Sequence, residues 1–203
     1  MLKKMSVKLT HFPKAAELVY EGDYQVSLDL KSFYYHLMIY PPHQTFLGIA
    51  ADLPDGSRRF YQYTVLPFGL APAAAIMTRL VKPILAYLAS LGIRASIYLD
   101  DLKINASTKA LAWEHYQITR DVFRKAGFVI SVEKSDEFSD ISQQKLYLGF
   151  IMDSVTMTAT ASSAKLNSVM SFVRDKLPSS RITIKDLAKV TGCLLYTSDA
   201  ADE

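Results

Sequence analysis

Short apolar runs and acidic breaks alternate along the chain in a way that predicts mixed secondary structure. Val26-Ser27-Leu28-Asp29-Leu30 has the period of a strand, with Leu28 and Leu30 on one face and Asp29 on the other, so Asp29 points away from the core. Thr45–Ala51 and Arg58–Val65 flank Asp55-Gly56, a hairpin turn signal. Ala73–Leu91 reads as a helix with Ile76, Leu80, Ile84 and Leu88 as its apolar stripe, Pro83 as a kink and Gly92 as its stop. Residues 108–126 place Leu111, His115, Ile118 and Val122 on a second stripe, ended by Gly127. His115 there reads as a satisfied, partly buried histidine, since no Cys or carboxylate lies at ligand spacing. Asp153-Ser154 turns a hairpin that Val155–Thr160 closes. Ser163–Leu177 carries Leu166, Val169, Met170, Val173 and Leu177 at helical spacing before Pro178, and Thr183 with Asp186 resembles the cap of another helix. The pattern is α+β: an antiparallel sheet with helices packed on one face.

Between the apolar runs Ala95–Leu99 and Leu102–Ile104 lies Asp100-Asp101, with no Gly or Pro at the join. Most Asp-Asp dipeptides are solvated turn residues. Two adjacent carboxylates also concentrate charge that a hard divalent cation relieves. If the strand of Asp29 lies beside this pair, three carboxylates converge, the ligand set of two-metal phosphoryl or nucleotidyl transfer.

LDLKSFYYHL (28–37), VLPFGLAPAAAIMTRL (65–80), IYLDD (97–101), GFVISVEKS (127–135) and LYLGF (146–150), in that order, resemble the successive palm motifs of retroelement reverse transcriptases. LPFGLAPA and ASIYLDDLKI, with KPILAYLASLGIR between them, most resemble DIRS-type retrotransposons, with gypsy-like elements second. The resemblance implies a right-hand polymerase palm. It makes Asp29, Asp100 and Asp101 the catalytic metal ligands, with the Leu30 carbonyl as a further ligand and Mg²⁺, or Mn²⁺, as the cofactor. The implied reaction is attack of a primer 3′ hydroxyl on the α-phosphate of a deoxynucleoside triphosphate over an RNA or DNA template.

The resemblance assigns further roles. Tyr34, five residues beyond Asp29, corresponds to the aromatic that excludes a ribose 2′ hydroxyl. Phe33, Tyr34 and Tyr35 are consecutive, so at least one faces the interior. Phe68 and Gly69 fall in the turn that holds the template, where glycine permits close backbone approach. Lys134 matches a lysine near the triphosphate, proposed to donate a proton to pyrophosphate. Leu148-Gly149-Phe150 resembles the primer grip.

The organisation implied is a remnant of fingers or lead-in at 1–22, a palm at 23–160 with a finger insertion near 41–66, and the start of a thumb or connection at 161–192. Residues 193–203 resemble a translated sequencing adapter, a segment to be set aside. That tail holds the only cysteine, Cys193, and the acids Asp199, Asp202 and Glu203 with no Lys or Arg, so the net charge of +3 understates the basic excess of residues 1–192. Arg58, Arg59, Lys82, Arg94, Lys103, Arg120, Arg124 and Lys125 suit a polyanionic template and primer held through phosphates. With half of its residues hydrophobic the chain can bury one sizeable core. The sequence shows no signal pattern and no apolar run read as a membrane span, and its cysteine usage suits an intracellular protein. RNase H and a recombinase or integrase are expected elsewhere in a parent polyprotein. Without the fingers' basic motifs the 203-residue chain by itself is expected to extend primers poorly. The other reading is an inactive or host-adopted copy that binds nucleic acid without chemistry.

Overall fold

The computed structural model describes residues 12–176 and 183–184. In chain order these form α1 (Phe12–Ala16), β1 (Tyr24–Asp29), a 3₁₀ turn (Phe33–His36), α2 (Pro41–Gln44), β2 (Gly48–Asp52), β3 (Arg58–Gln62), α3 (Ala73–Ser90), β4 (Arg94–Tyr98) and β5 (Asp101–Ala106). They continue with α4 (Lys109–Lys125), a second 3₁₀ turn (Phe138–Asp140), β6 (Gln144–Tyr147), β7 (Phe150–Asp153), β8 (Thr158–Ala161) and α5 (Ser163–Lys176). The expected cap at Thr183 and Asp186 and the tail 193–203 involve residues outside those described.

The strands make antiparallel sheets in the orders β1-β5-β4, β2-β3 and β6-β7-β8, so the α+β expectation holds. Alternation sorts the first sheet into two faces. Val26, Leu28, Leu30, Ile97, Leu102 and Ile104 form a single buried cluster with Met77, Val81 and Leu88 of α3 and with Ala112, Tyr116 and Phe123 of α4. Burying a side chain of leucine size contributes roughly 1.5–3 kcal/mol, so this layer dominates the fold.

Both long helices turn inward a face shifted from the expected stripe, although Leu88 of that stripe is fully buried. In α3 the buried residues are Ala73, Ala75, Met77, Val81 and Leu88, while Leu80 is 42% exposed. In α4 they are Ala112, Tyr116, Thr119 and Phe123, beside the expected stripe instead of on it. The expected positions mostly flank the contact and stay partly buried. Helix α3 is apolar around much of its circumference, and in both helices small or amphipathic residues such as Ala73 and Thr119 are among those buried. The stops are as read: the Gly92 and Ile93 amides donate to Ala89 and Leu88, and those of Gly127 and Phe128 to Arg124 and Phe123, the paired bonds of a Schellman end. The helix continues through Pro83. Contrary to the sequence reading, α3 is long and apolar enough by length and composition to cross a membrane, but here its inner face joins the main core.

The β2–β3 hairpin is shorter than expected, because Pro41–Gln44 form a helical turn that Thr45 closes and the strand begins only at Gly48. All of β3 is exposed. The Met38–Val65 bridge and the bond from the Leu66 amide to the Leu37 carbonyl close the neck of this hairpin. Helix α5 follows the expected range up to Lys176, with Leu166 and Met170 about half exposed.

Candidate active site

Tyr98 pairs with Asp101 across β4 and β5, leaving Leu99-Asp100 as a two-residue turn. Leu99 has φ +56°, a left-handed backbone that strains a residue with a Cβ by about 1–2 kcal/mol. Positive φ at the first central position suits the right-handed twist of the strands it joins. Tertiary contacts hold the turn. Leu99 packs against the main core, the Leu30 amide donates to the Asp100 carbonyl at 2.9 Å, and the Tyr147 hydroxyl donates to the Asp101 carbonyl at 3.3 Å.

Strand β1 lies beside β5 in the register that sets Asp29 directly opposite Asp101. Like charges so placed repel and cost stability. Burial first, then the Asp100 and Asp29 charges, push the Asp101 carboxyl up to about 7. Burial and Asp100 also raise Asp29, against the opposing pull of Lys134 and of a hydrogen bond from Ser131. As the side chains stand, no group of three His, Cys, Asp or Glu among the described residues is arranged to hold a metal ion. The donor chemistry nevertheless fits a hard divalent cation, being oxygen only and acidic, with charge left over after Lys134 and Lys103 have acted.

The segment after α4 lines the open edge of β1. The Ser131 amide donates to the Asp29 carbonyl at 2.9 Å, the Asp29 amide donates to the Ser135 hydroxyl at 3.0 Å, and the Asp136 amide donates to the Ser27 carbonyl at 3.0 Å. This ladder brings the exposed Lys134 to Asp29.

Among the consecutive aromatics the interior residue is Phe33, stacked on Phe128 at 5.9 Å. Tyr34 is half-buried. Burial, then the Asp100 carboxylate and Tyr98, raise its phenol above the usual range, which sets it beside the acidic turn. The rings of Tyr34 and Tyr35 meet Phe68 edge-on at 4.8 and 5.3 Å, and Phe68 itself is 58% exposed. Gly69 has φ +81° and nothing within 4 Å of where a Cβ would lie. The close approach expected there is therefore not made by the chain's own atoms; the backbone conformation is what calls for glycine.

Leu148 and Gly149, both with positive φ, form the two-residue turn between paired Tyr147 and Phe150. The Phe150 ring packs on Phe12 at 4.9 Å with the Lys165 ammonium 4.3 Å from its centre.

Two of the basic residues read as phosphate ligands are not available for that role. Lys103 is wholly buried, its Nζ donating to Gln25 Oε1 at 3.0 Å, and burial lowers it to about 7. Arg94 spends its guanidinium on the buried Asp23 and on the Leu18 carbonyl. The missed signal was alternation: Lys103 lies between Leu102 and Ile104 on a central strand, so it must face whatever covers the second side of the sheet. Tyr147 and Met152 supply that cover, Gln25 of neighbouring β1 meets Lys103 beneath it, and all three were also missed. His115 is partly buried as expected but not satisfied, since its Nδ1 has no partner among the described residues.

A twisted antiparallel sheet with helices on one face and an acidic hairpin facing an acidic strand end defines the palm class of nucleic-acid polymerases. The family described as reverse transcriptase (RNA-dependent DNA polymerase) matches residues 2–152, well over half of the chain, and the chain belongs to that family. Solved structures agree in fold. A foamy viral protease–reverse transcriptase bound to double-stranded DNA superposes with a TM-score of 0.72 at 18% identity, covering 94% of this chain and 30% of that one. A second structure with double-stranded DNA gives 0.67 at 17% identity, covering 95% and 37%, and one with an RNA/DNA hybrid gives 0.64 at 18%, covering 92% and 23%. The chain thus spans well under half the length of these proteins. No curated protein matches the sequence.

Proposed function

We propose that the chain is the palm and part of the fingers of an RNA-directed DNA polymerase from a retrotransposon, DIRS-like in its motifs, with gypsy-like elements as the second choice. The observation that carries this reading is the register of Asp29 against Asp101 beside the Asp100 turn, in a chain of the reverse transcriptase family. The carboxylates of Asp29, Asp100 and Asp101, with the Leu30 carbonyl, are the groups to hold Mg²⁺ or Mn²⁺. When bound, the metal supplies activation of a primer 3′ hydroxyl and stabilisation of the pyrophosphate leaving group.

The other residues position and select. Tyr34, beside Asp100 and braced by Phe68, presents a ring where a ribose 2′ hydroxyl would collide. Lys134 stands next to Asp29 to neutralise or protonate the departing pyrophosphate. Phe68-Gly69 is the template turn and Leu148-Gly149-Phe150 the primer turn. Nucleic acid as partner is supported by the relatives' complexes with double-stranded DNA and RNA/DNA hybrid. Residues 161–192 then begin a thumb or connection, with RNase H and a recombinase or integrase in the same polyprotein, acting inside the cell.

The test is primer extension by the polymerase that contains this chain. Asp29→Asn and Asp100→Asn are each expected to lower the rate by about a thousandfold or more while template–primer affinity stays within about twofold, because the charge acts on the reacting groups and not on the duplex. Extension by either variant at the unsubstituted rate overturns the site. Retained binding with no extension by the unsubstituted polymerase favours the nucleic-acid-binding copy instead.

A further inference from the structure

Lys103 is an expensive residue to place where it is. It occupies the middle strand of the palm sheet, in the row Ser27–Lys103–Ser96, two residues from Asp101 and on the same face. The β6–β7 hairpin covers that face, burying Tyr147 and Met152 against it. Nζ donates to Gln25 Oε1 at 3.0 Å, lies 2.7 Å from Met152 Sδ and sits 5.3 Å from the centre of the Tyr147 ring. The Gln25 amide donates onward to the carbonyls of Gln143 and Met152, at 2.8 and 3.1 Å. Tyr147 closes the loop through its hydroxyl, which donates to the Asp101 carbonyl. These bonds tie β1, β5 and the β6–β7 hairpin to one another, one of them at the backbone carbonyl of Asp101.

A methionine would fill the same space without the cost of taking an ammonium out of water, and replacing buried charge by apolar volume is often neutral or stabilising. What an apolar contact lacks is direction: aliphatic surfaces slide over one another, whereas a lysine donating to one amide oxygen accepts a single register. The hairpin so registered carries the Leu148-Gly149 turn at its tip. We propose that Lys103, through Gln25 and Tyr147, is a positioning residue that fixes the primer turn over the catalytic aspartates. The inference rests on the reading of Leu148-Gly149-Phe150 as the primer turn and goes beyond it by naming what holds the turn in place.

The experiment compares the double variant Gln25→Leu/Lys103→Met, which replaces the polar bolt by apolar volume, with the unsubstituted protein. Urea unfolding of the chain should show stability equal or higher. Hydrogen exchange of the amides of residues 145–152 should quicken by about tenfold or more while that of α4 is unchanged, the sign of a local loosening. In the polymerase that contains the chain, kcat should fall by about tenfold or more with deoxynucleotide KM and template–primer Kd within about twofold, since misplaced reacting groups lose rate and not binding. Unchanged exchange, or a loosened hairpin with the original kcat, overturns the proposal. If the double variant does not fold, Tyr147→Phe, which removes one oxygen, reads the same quantities with a smaller loss in the same direction; original exchange and kcat there overturn it equally. Asp100→Asn is measured alongside. Continued synthesis by that variant refutes the active-site reading itself, and exchange then decides the bolt alone.

Discussion

Tyr34 shows how a single residue's role depends on its two neighbours. Its flanking aromatics divide the work: Phe33 enters the core, Tyr35 leans on Phe68, and Tyr34 is left facing the acidic turn. Replacing it by Val should raise ribonucleotide use relative to deoxyribonucleotide use by about tenfold or more, because a steric filter discriminates through the contact it forbids. Single-nucleotide incorporation ratios check this, and an unchanged ratio with a marked loss of stability returns Tyr34 to the core. Asp29 and the aspartate pair were legible at this scale because an acid that breaks an apolar alternation can be seen in the sequence. Lys103 was not, because a lysine on a strand reads as a solvated residue until the second layer is known.

Among the elements, the helices separate what periodicity predicts from what packing selects. Residues 73–90 and 109–125 are helical as read, with glycine-containing ends, yet in each the face against the sheet is shifted from the expected stripe, of which Leu88 alone is fully buried. Met77→Ala should therefore cost about 2–5 kcal/mol, whereas Leu80→Ala should cost well under about 1 kcal/mol. Urea denaturation of the two variants decides which face is buried, and equal losses would contradict the packing described. The turn between β7 and β8 offers the opposite sign. Met157 is exposed with φ +51°, so Met157→Asn should stabilise the chain by up to about 1 kcal/mol by relieving a left-handed residue with little packing to lose. A lowered denaturation midpoint would show that Met157 is held by contacts worth more than its strain.

For the whole molecule, the sheet's second face makes stability depend on pH in two opposite senses. The Asp101 carboxyl is raised from its ordinary 3.8 to about 7, so between those values the folded chain keeps a proton the unfolded chain has lost, and stability falls as pH rises. The Lys103 ammonium is lowered from 10.5 to about 7, so above 7 the folded chain lacks a proton the unfolded chain still holds, and stability rises with pH. These two groups together predict a stability minimum near neutral pH in the metal-free chain. Unfolding measured from pH 5 to pH 9 should show it, with Asp101→Asn flattening the acidic limb and Lys103→Met the basic one. A monotonic profile that neither substitution alters would mean that both groups titrate normally.

Much of this protein is written in local pattern. Alternation in 26–30 makes a strand and turns Asp29 outward; Gly92 and Gly127 end their helices; an acidic pair between two apolar runs marks the hairpin proposed to hold the metal. Each follows from backbone geometry within a few residues. The tertiary structure decided the rest. Only pairing of β1 with β5 puts Asp29 opposite Asp101. Only the sheet selects the inner faces of α3 and α4, and only the β6–β7 hairpin turns Lys103 from a surface cation into a buried donor. The physical reason is that hydrophobic burial is non-directional and rewards any apolar face. Which face is buried, and which polar group must then find a partner, is settled between segments far apart in the chain.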